Sequence, residues 1–158
     1  MVTRRLNLMN VHPGIRQAML GLDKQVRTSG LESGLLHLVR LRASQINGCA
    51  YCIDMHSKDA RAAGETEQRL YGLSAWRETT YYSPREQAAL EWTEALTLVT
   101  ERHVPDDAYD RVRAQFSDDE LGHLSLAIVA INGWTRLNVA SRTVPGDYVP
   151  AALAAHTG

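Results

Sequence analysis

Two helix starts, each spelled out in full, constrain this chain to a helical fold before anything else is considered. Ser83-Pro84-Arg85-Glu86 is a capping box with proline at the first helical position, and Ser117-Asp118-Asp119-Glu120 is a second capping box. In such a box the serine hydroxyl accepts an N–H of the first turn, and the glutamate reaches back to the N–H of the serine. The first box opens a helix to about Thr100, with Ala89, Trp92, Leu96 and Val99 facing inward. The second opens the most apolar segment of the chain, a helix over about 118–142 that ends before Pro145-Gly146. Helical spacing continues upstream. Ile15, Met19, Leu22 and Val26 form a stripe within 14–27, and Leu35, Leu38, Val39 and Leu41 form another within 31–45, with Arg40 and Arg42 off it. A helix over 48–63 stops at Gly64, Thr66 caps a short one through about Leu73, and Pro105 begins another. No segment reads as a strand, and no linker, repeat or low-complexity run divides residues 1–158. The expectation is a single compact all-α domain, with a short tail after Pro145 as a mobile segment.

Length and charge narrow the setting. A chain of 158 residues can bury a real core. Seventeen basic against eighteen acidic residues leave a net charge of −1, which argues against nucleic acid or an anionic membrane as partner. The most apolar run, Leu124 to Ile131, is too short to span a bilayer. The opening MVTRRLNLMN has charge without an apolar stretch behind it, so no secretory leader and a cytoplasmic setting are expected. The last helix is apolar nearly all round: Leu121, Leu124, Ala127, Ile128, Ile131 and Trp134 make one face, yet Leu126, Val129 and Ala130 lie off it. Such a helix is either central to the core or covered by a second subunit, and its Asn132, Arg136 and Asn138 then need polar partners.

Both cysteines of the chain lie in Cys49-Ala50-Tyr51-Cys52, and His56 follows four residues later. On a helix these three share one face, so the thiols can join in a disulfide with an imidazole one turn away. Asn47-Gly48 reads as a turn or N-cap and places Cys49 in the first turn, where unpaired N–H groups and the helix dipole favour a thiolate. In a reducing compartment a lone Cys-x-x-Cys is more often catalytic or metal-binding than a structural staple. Three readings follow: a redox-active dithiol, a zinc site on Cys49, Cys52 and His56 with His37 as a fourth ligand, or a pair of buried thiols. Structural zinc usually takes four ligands, and no second Cys-x-x-Cys or His pair completes the set. Tyr51, Trp76, Tyr81 and Tyr82 are candidates for core or pocket lining, while His12, His103, His123 and His156 belong to no constellation. Phosphate-cradling glycine loops, Ser-His-Asp elements and His-Glu-x-x-His signatures do not occur.

The stretch from Leu38 through Ser44-Gln45-Ile46-Asn47-Gly48-Cys49 to His56 closely resembles the core of the alkyl hydroperoxidase D-like (AhpD-like) branch of the carboxymuconolactone decarboxylase family. The likeness extends through Lys58-Asp59-Ala60-Arg61 and Gly64-Glu65, and Ala127 to Asn138 is similar to that family's C-terminal helix, so it covers roughly 15–142, leaving 143–158 as a tail. The resemblance implies an all-helical protein that assembles as a homo-oligomer, a trimer or a hexamer, and acts as a thiol-dependent peroxidase. It implies that Cys52 is the peroxidatic thiol, Cys49 the resolving one and His56 the base that keeps Cys52 ionised. It further implies a hydroperoxide substrate and an external dithiol reductant, a lipoyl group or a thioredoxin-like protein, with no nucleotide, flavin or metal required. The decarboxylase branch shares the fold, whereas the dithiol belongs to the peroxidase-like branch. One position departs from the pattern. The family's best-known members carry a glutamate twelve residues before the first cysteine, which orients the histidine; here that position is His37. A neutral imidazole can pass a proton but supplies no negative charge to an imidazolium. Glu32 lies about one turn away from it in sequence.

Overall fold

A computed structural model of the chain describes residues 3–151, and among them it contains eight α-helices and no strand. Both capping boxes form. Ser83 Oγ accepts from the Glu86 N–H at 3.2 Å while Glu86 accepts from the Ser83 N–H at 2.8 Å, and the Ser117–Glu120 pair repeats this at 3.3 and 2.8 Å. In chain order the helices are α1 (Pro13–Arg27), α2 (Ser33–Ile46), α3 (Ala50–Ala62), α4 (Glu67–Gly72), α5 (Pro84–Thr97), α6 (Val99–Arg102), α7 (Asp106–Arg113) and α8 (Asp118–Ser141). A 3-10 turn, Leu73–Glu78, continues from α4. No helix among the described residues is long and apolar enough to cross a membrane.

The hub is α2, which packs against α3, α5 and α8 at once. Its Leu35, Leu36 and Val39 enter one apolar cluster with Trp92 of α5, Val112 of α7 and Leu124 and Ile128 of α8. Its Leu38 and Leu41 enter a second with Ala60, Leu70, Leu73, Trp76, Tyr82 and Leu90. A helix with apolar residues on two adjacent faces divides the interior in this way and is itself held from both sides. Arg42 ties the same helix to α5: its guanidinium meets Glu94 at 2.7–2.8 Å, and Glu94 also accepts from Trp76 Nε1 at 2.9 Å and from Arg77. Burial works to raise the pKa of Glu94, but these donors outweigh it and hold the carboxyl below its ordinary range.

Three expectations are corrected. The α1 stripe is buried only at Val26, because α1 lies on the outside against α8. Val99 is 42% exposed, since the backbone leaves helical geometry at Leu98 and the following turn starts a new register. In the single chain Val129 of the last helix is 57% exposed, so that side of α8 is not covered by this subunit's own core. Through residue 151 the tail is also held rather than loose. Lys58 of α3 donates to the carbonyls of Gly146 and Tyr148 at 2.9 and 3.1 Å, and the Tyr148 hydroxyl donates to Asp59 at 2.7 Å. Residues 152–158, the rest of that tail, lie outside the described residues. The polar groups of α8 largely find partners: Asn132 donates to Thr97 Oγ1 and the Ile128 carbonyl, and accepts from Asn47 and Arg136.

Shortening a core side chain at full burial leaves a cavity, so Leu124→Ala should lower stability by about 2–5 kcal/mol. Ser117→Ala, which removes one cap, should cost about 1 kcal/mol. Val129→Ala, on the exposed side of the same helix, should stay within about 0.5 kcal/mol of the parent. Urea unfolding of the three variants checks the order.

Candidate active site

The joint between α2 and α3 builds the dithiol. Asn47 ends α2, and Gly48 turns the chain at φ +63°, a conformation that glycine adopts without penalty. The Gly48 N–H then reaches the Gln45 carbonyl and the Cys49 N–H the Ser44 carbonyl, both at 3.1 Å, which is the Schellman pattern. Cys49 is thus the last residue of one cap and the N-cap of the next helix. It precedes the first turn of α3 rather than lying within it, which corrects the expected placement by one position. Its Sγ accepts from the Cys52 N–H at 3.3 Å. Cys49 and Cys52 are joined by a disulfide, with their Cα atoms 5.3 Å apart. Their exposures are 2% and 0%.

His56 follows one turn later on α3, 7% exposed, and its Nε2 has no hydrogen-bond partner among the described residues. Burial, and after it the positive charge of Arg40 and of His37, pushes its pKa down to about 3. The imidazole is therefore neutral near pH 7, free to accept a proton but with little to stabilise the product. His37 comes from α2. Its Nε2 stands 3.4 Å from Ser33 Oγ, and its Nδ1 is buried without a partner among the described residues. Burial and Arg40 lower its pKa against Asp59 and Glu65, which act to raise it. So the structure brings His37 into the electrostatic surroundings of His56 without a hydrogen bond between them. Glu32 takes no part here: it sits at the N-cap position of α2, its side chain making no capping bond there, and pairs with Arg85 at 2.9 Å on the surface.

A cavity of about 570 Å³ opens on this face of α3, reaching Tyr51, Met55 and His56. It is walled by Arg40 of α2, Asp23 of α1 and Trp134 of α8. Arg40 and Asp23 were not legible as site residues from sequence; the available signal was a cation between Val39 and Leu41 on a stretch otherwise marked for the core. Trp76 and Tyr82, by contrast, are core. No group of three or more His, Cys, Asp or Glu side chains among the described residues is arranged to hold a metal ion.

Residues 13–95 match the model of the carboxymuconolactone decarboxylase family. The chain is 42% identical over 139 residues to the uncharacterized protein YdfG of Bacillus subtilis, across 88% of this chain and 95% of that one. A solved protein of unknown function from Agrobacterium tumefaciens, proposed as the antioxidant defence protein AhpD, is also 42% identical. It aligns with a TM-score of 0.88 over 92% of this chain and 100% of its own. The debrominase Bmp8 aligns with a TM-score of 0.74 at 20% identity, over 90% of this chain and 75% of its own, a likeness of fold alone.

The depressed pKa of His56 has a consequence for stability. Unfolded, this side chain takes up a proton near its ordinary value of 6.5; folded, only near 3. Between the two the unfolded chain binds more protons, so stability should fall as pH drops from about 6.5 toward 3, by at most about 1.4 kcal/mol per pH unit. His37 acts with the same sign. His56→Gln should flatten that slope in denaturant unfolding of the oxidised protein followed at a series of pH values.

Proposed function

The chain belongs to the carboxymuconolactone decarboxylase family, in its AhpD-like branch, and we propose that it is a thiol-dependent hydroperoxide reductase working through Cys49, Cys52 and His56. The observation that carries this reading is the closed Cys49–Cys52 pair across the first turn of α3, with a buried neutral imidazole one turn further on. In the reduced state His56 accepts the proton of Cys52, and the N–H groups at the helix start favour the resulting thiolate. That thiolate attacks one peroxide oxygen. The S–O bond forms, the O–O bond breaks, and the departing alkoxide takes the proton from His56 and leaves as the alcohol. Cys49 then attacks the sulfenic acid: the S–S bond forms, the S–O bond breaks, and water leaves. An external dithiol, a lipoyl group or a thioredoxin-like protein, restores both thiols through a mixed disulfide. A homo-oligomer, trimer or hexamer, is part of the same proposal and is read by light scattering.

A second reading is favoured by His37. With an imidazole in place of the glutamate, no anionic side chain among the described residues is bonded to His56, and proton transfer from Cys52 is weakly driven. The pair would then serve mainly in dithiol–disulfide exchange.

Reduced protein, freed of reductant and titrated with cumene hydroperoxide under argon, should lose both thiols as an intramolecular disulfide. Cys52→Ser should abolish the loss, and Cys49→Ser should stop at a sulfenic acid visible by intact mass. Thiols that survive peroxide yet exchange with lipoamide would establish the second reading, and thiols inert to both would overturn the redox assignment. His37→Glu should raise the pKa of His56 and speed peroxide consumption roughly 10-fold or more; an unchanged rate would show that the position has no part in proton transfer.

A further inference from the structure

We propose that the cavity beside His56 binds a small organic anion, a carboxylate on an apolar body, with Arg40 as its anchor. This rests on the reductase reading of the dithiol and gives it a substrate class: hydroperoxides that carry an acid group.

The cavity, at about 570 Å³, falls within the roughly 300–1,000 Å³ usual for small-molecule sites. Four arginines line it, Arg4, Arg16, Arg27 and Arg40, against two acids, Asp23 and Asp59, in a chain whose overall charge is −1. Both acids already hold hydrogen bonds from the protein. Asp23 accepts from Trp134 Nε1 at 2.8 Å, and Asp59 accepts from the Tyr148 hydroxyl at 2.7 Å.

Arg40 is the unusual member. Its side chain is 18% exposed, and its ion pair with Asp23 is 3.9 Å long, beyond hydrogen-bonding distance. Among the described residues its guanidinium makes no hydrogen bond, although that group carries five donors in a fork matched to a carboxylate. Arg42, two residues on along the same helix, meets Glu94 at 2.7–2.8 Å. One guanidinium on α2 is thus hydrogen-bonded to a carboxylate of the protein, and the other faces the cavity with its ion pair to Asp23 too long for a hydrogen bond. Burial lowers the pKa of Arg40, Asp23 opposes this and Arg27 adds to it, as expected for a charge incompletely met.

A separate observation points to the same place. Four buried side-chain polar atoms among the described residues lack a partner, and three of them, His56 Nε2, Asn138 Oδ1 and Thr143 Oγ1, belong to residues of this cavity. Buried polar groups are ordinarily paired; the Thr143 hydroxyl and the His56 imidazole can donate to a carboxylate, whereas Asn138 Oδ1 accepts and would take a donor from elsewhere on the ligand. Leu20, Met55, Ile131 and Trp134 supply the apolar surface for the remainder of the molecule.

The test titrates naphthalene-2-carboxylate and its primary amide into the oxidised protein by calorimetry. The acid should bind, the amide at least 10-fold more weakly. Arg40→Gln should weaken the acid at least 10-fold and leave the amide unchanged. Arg16→Gln, at the exposed rim, should weaken the acid by a smaller factor, which guards against an Arg40 variant that fails to fold. Acid and amide bound alike, or neither bound at millimolar concentration, would overturn the anion site. In a second arm, the reduced protein consumes cumene hydroperoxide or its ring-carboxylated analogue. The acid should have a KM at least 10-fold lower, and Arg40→Gln should remove the difference. Naphthoate binding with thiols that ignore both peroxides would end the reductase reading and leave the anion site standing. Equal use of both peroxides without naphthoate binding would do the reverse.

Discussion

The turn at Gly48 is the constraint on which the dithiol depends. A Schellman cap needs a residue at positive φ, and the bonds that satisfy the end of α2 also deliver Cys49 to the N-cap of α3 without an intervening loop. No slack separates the two helices, so the position of both sulfurs follows from where α2 lies. α2 in turn is held on two faces, by the cluster under Leu35 and Val39 and by the one under Leu38 and Leu41. Asn47 closes the arrangement, bonding the Ala43 carbonyl behind it and Asn132 on α8 in front. Ser-Gln-Ile-Asn-Gly-Cys therefore reads as a mechanical unit: a helix end, a left-handed turn, a clamp to the last helix and a sulfur.

Local chemistry made much of this legible in the sequence. The capping boxes at Ser83 and Ser117 are self-contained within four residues and form as read. The Cys-x-x-Cys and His56 share a face because helical spacing dictates it. What eluded the sequence was decided by partners far along the chain. Helical spacing in α1 does not tell that the only long helix packed closely along it is α8, so its stripe is left largely in solvent. Nothing around Leu98 announces the break that turns Val99 outward. The tail after Pro145 has no helical signal, and its anchor, Lys58, lies 88 residues away in sequence. Arg40 is the sharpest case. Periodicity placed it off the apolar stripe, which ordinarily means solvent, whereas the packing of α1, α3 and α8 around α2 encloses it.

The same fold holds other chemistry, as its likeness to a debrominase makes plain, so the arrangement of helices alone does not choose a reaction. The choice rests on what α2 presents to α3. Its two arginines, Arg40 and Arg42, stand two residues apart and so leave the helix about 200° apart in direction. One is spent on Glu94 in the core of the bundle, locking α2 to α5 and to the turn at Trp76. The other is turned to the cavity that His56 lines. A structural cation and a functional one are separated here by half a turn of helix.

That placement bears on the missing glutamate. His56 is held neutral first by burial and then by Arg40, with His37 adding a smaller push in the same direction. Of these, burial is fixed by the fold and His37 is fixed by sequence, but the influence of Arg40 depends on what lies against its guanidinium. Asp23 at 3.9 Å offsets that charge only in part. A carboxylate brought in by a ligand would offset it more closely, and a negative charge at that point favours a protonated His56 for the same reason a glutamate at position 37 would. The proton acceptor for Cys52 would then be strongest when the anion site is filled and weakest when it is empty. In the proposed reductase the charge that drives deprotonation of the thiol need not be encoded in the protein, because a bound acid at Arg40 would supply it.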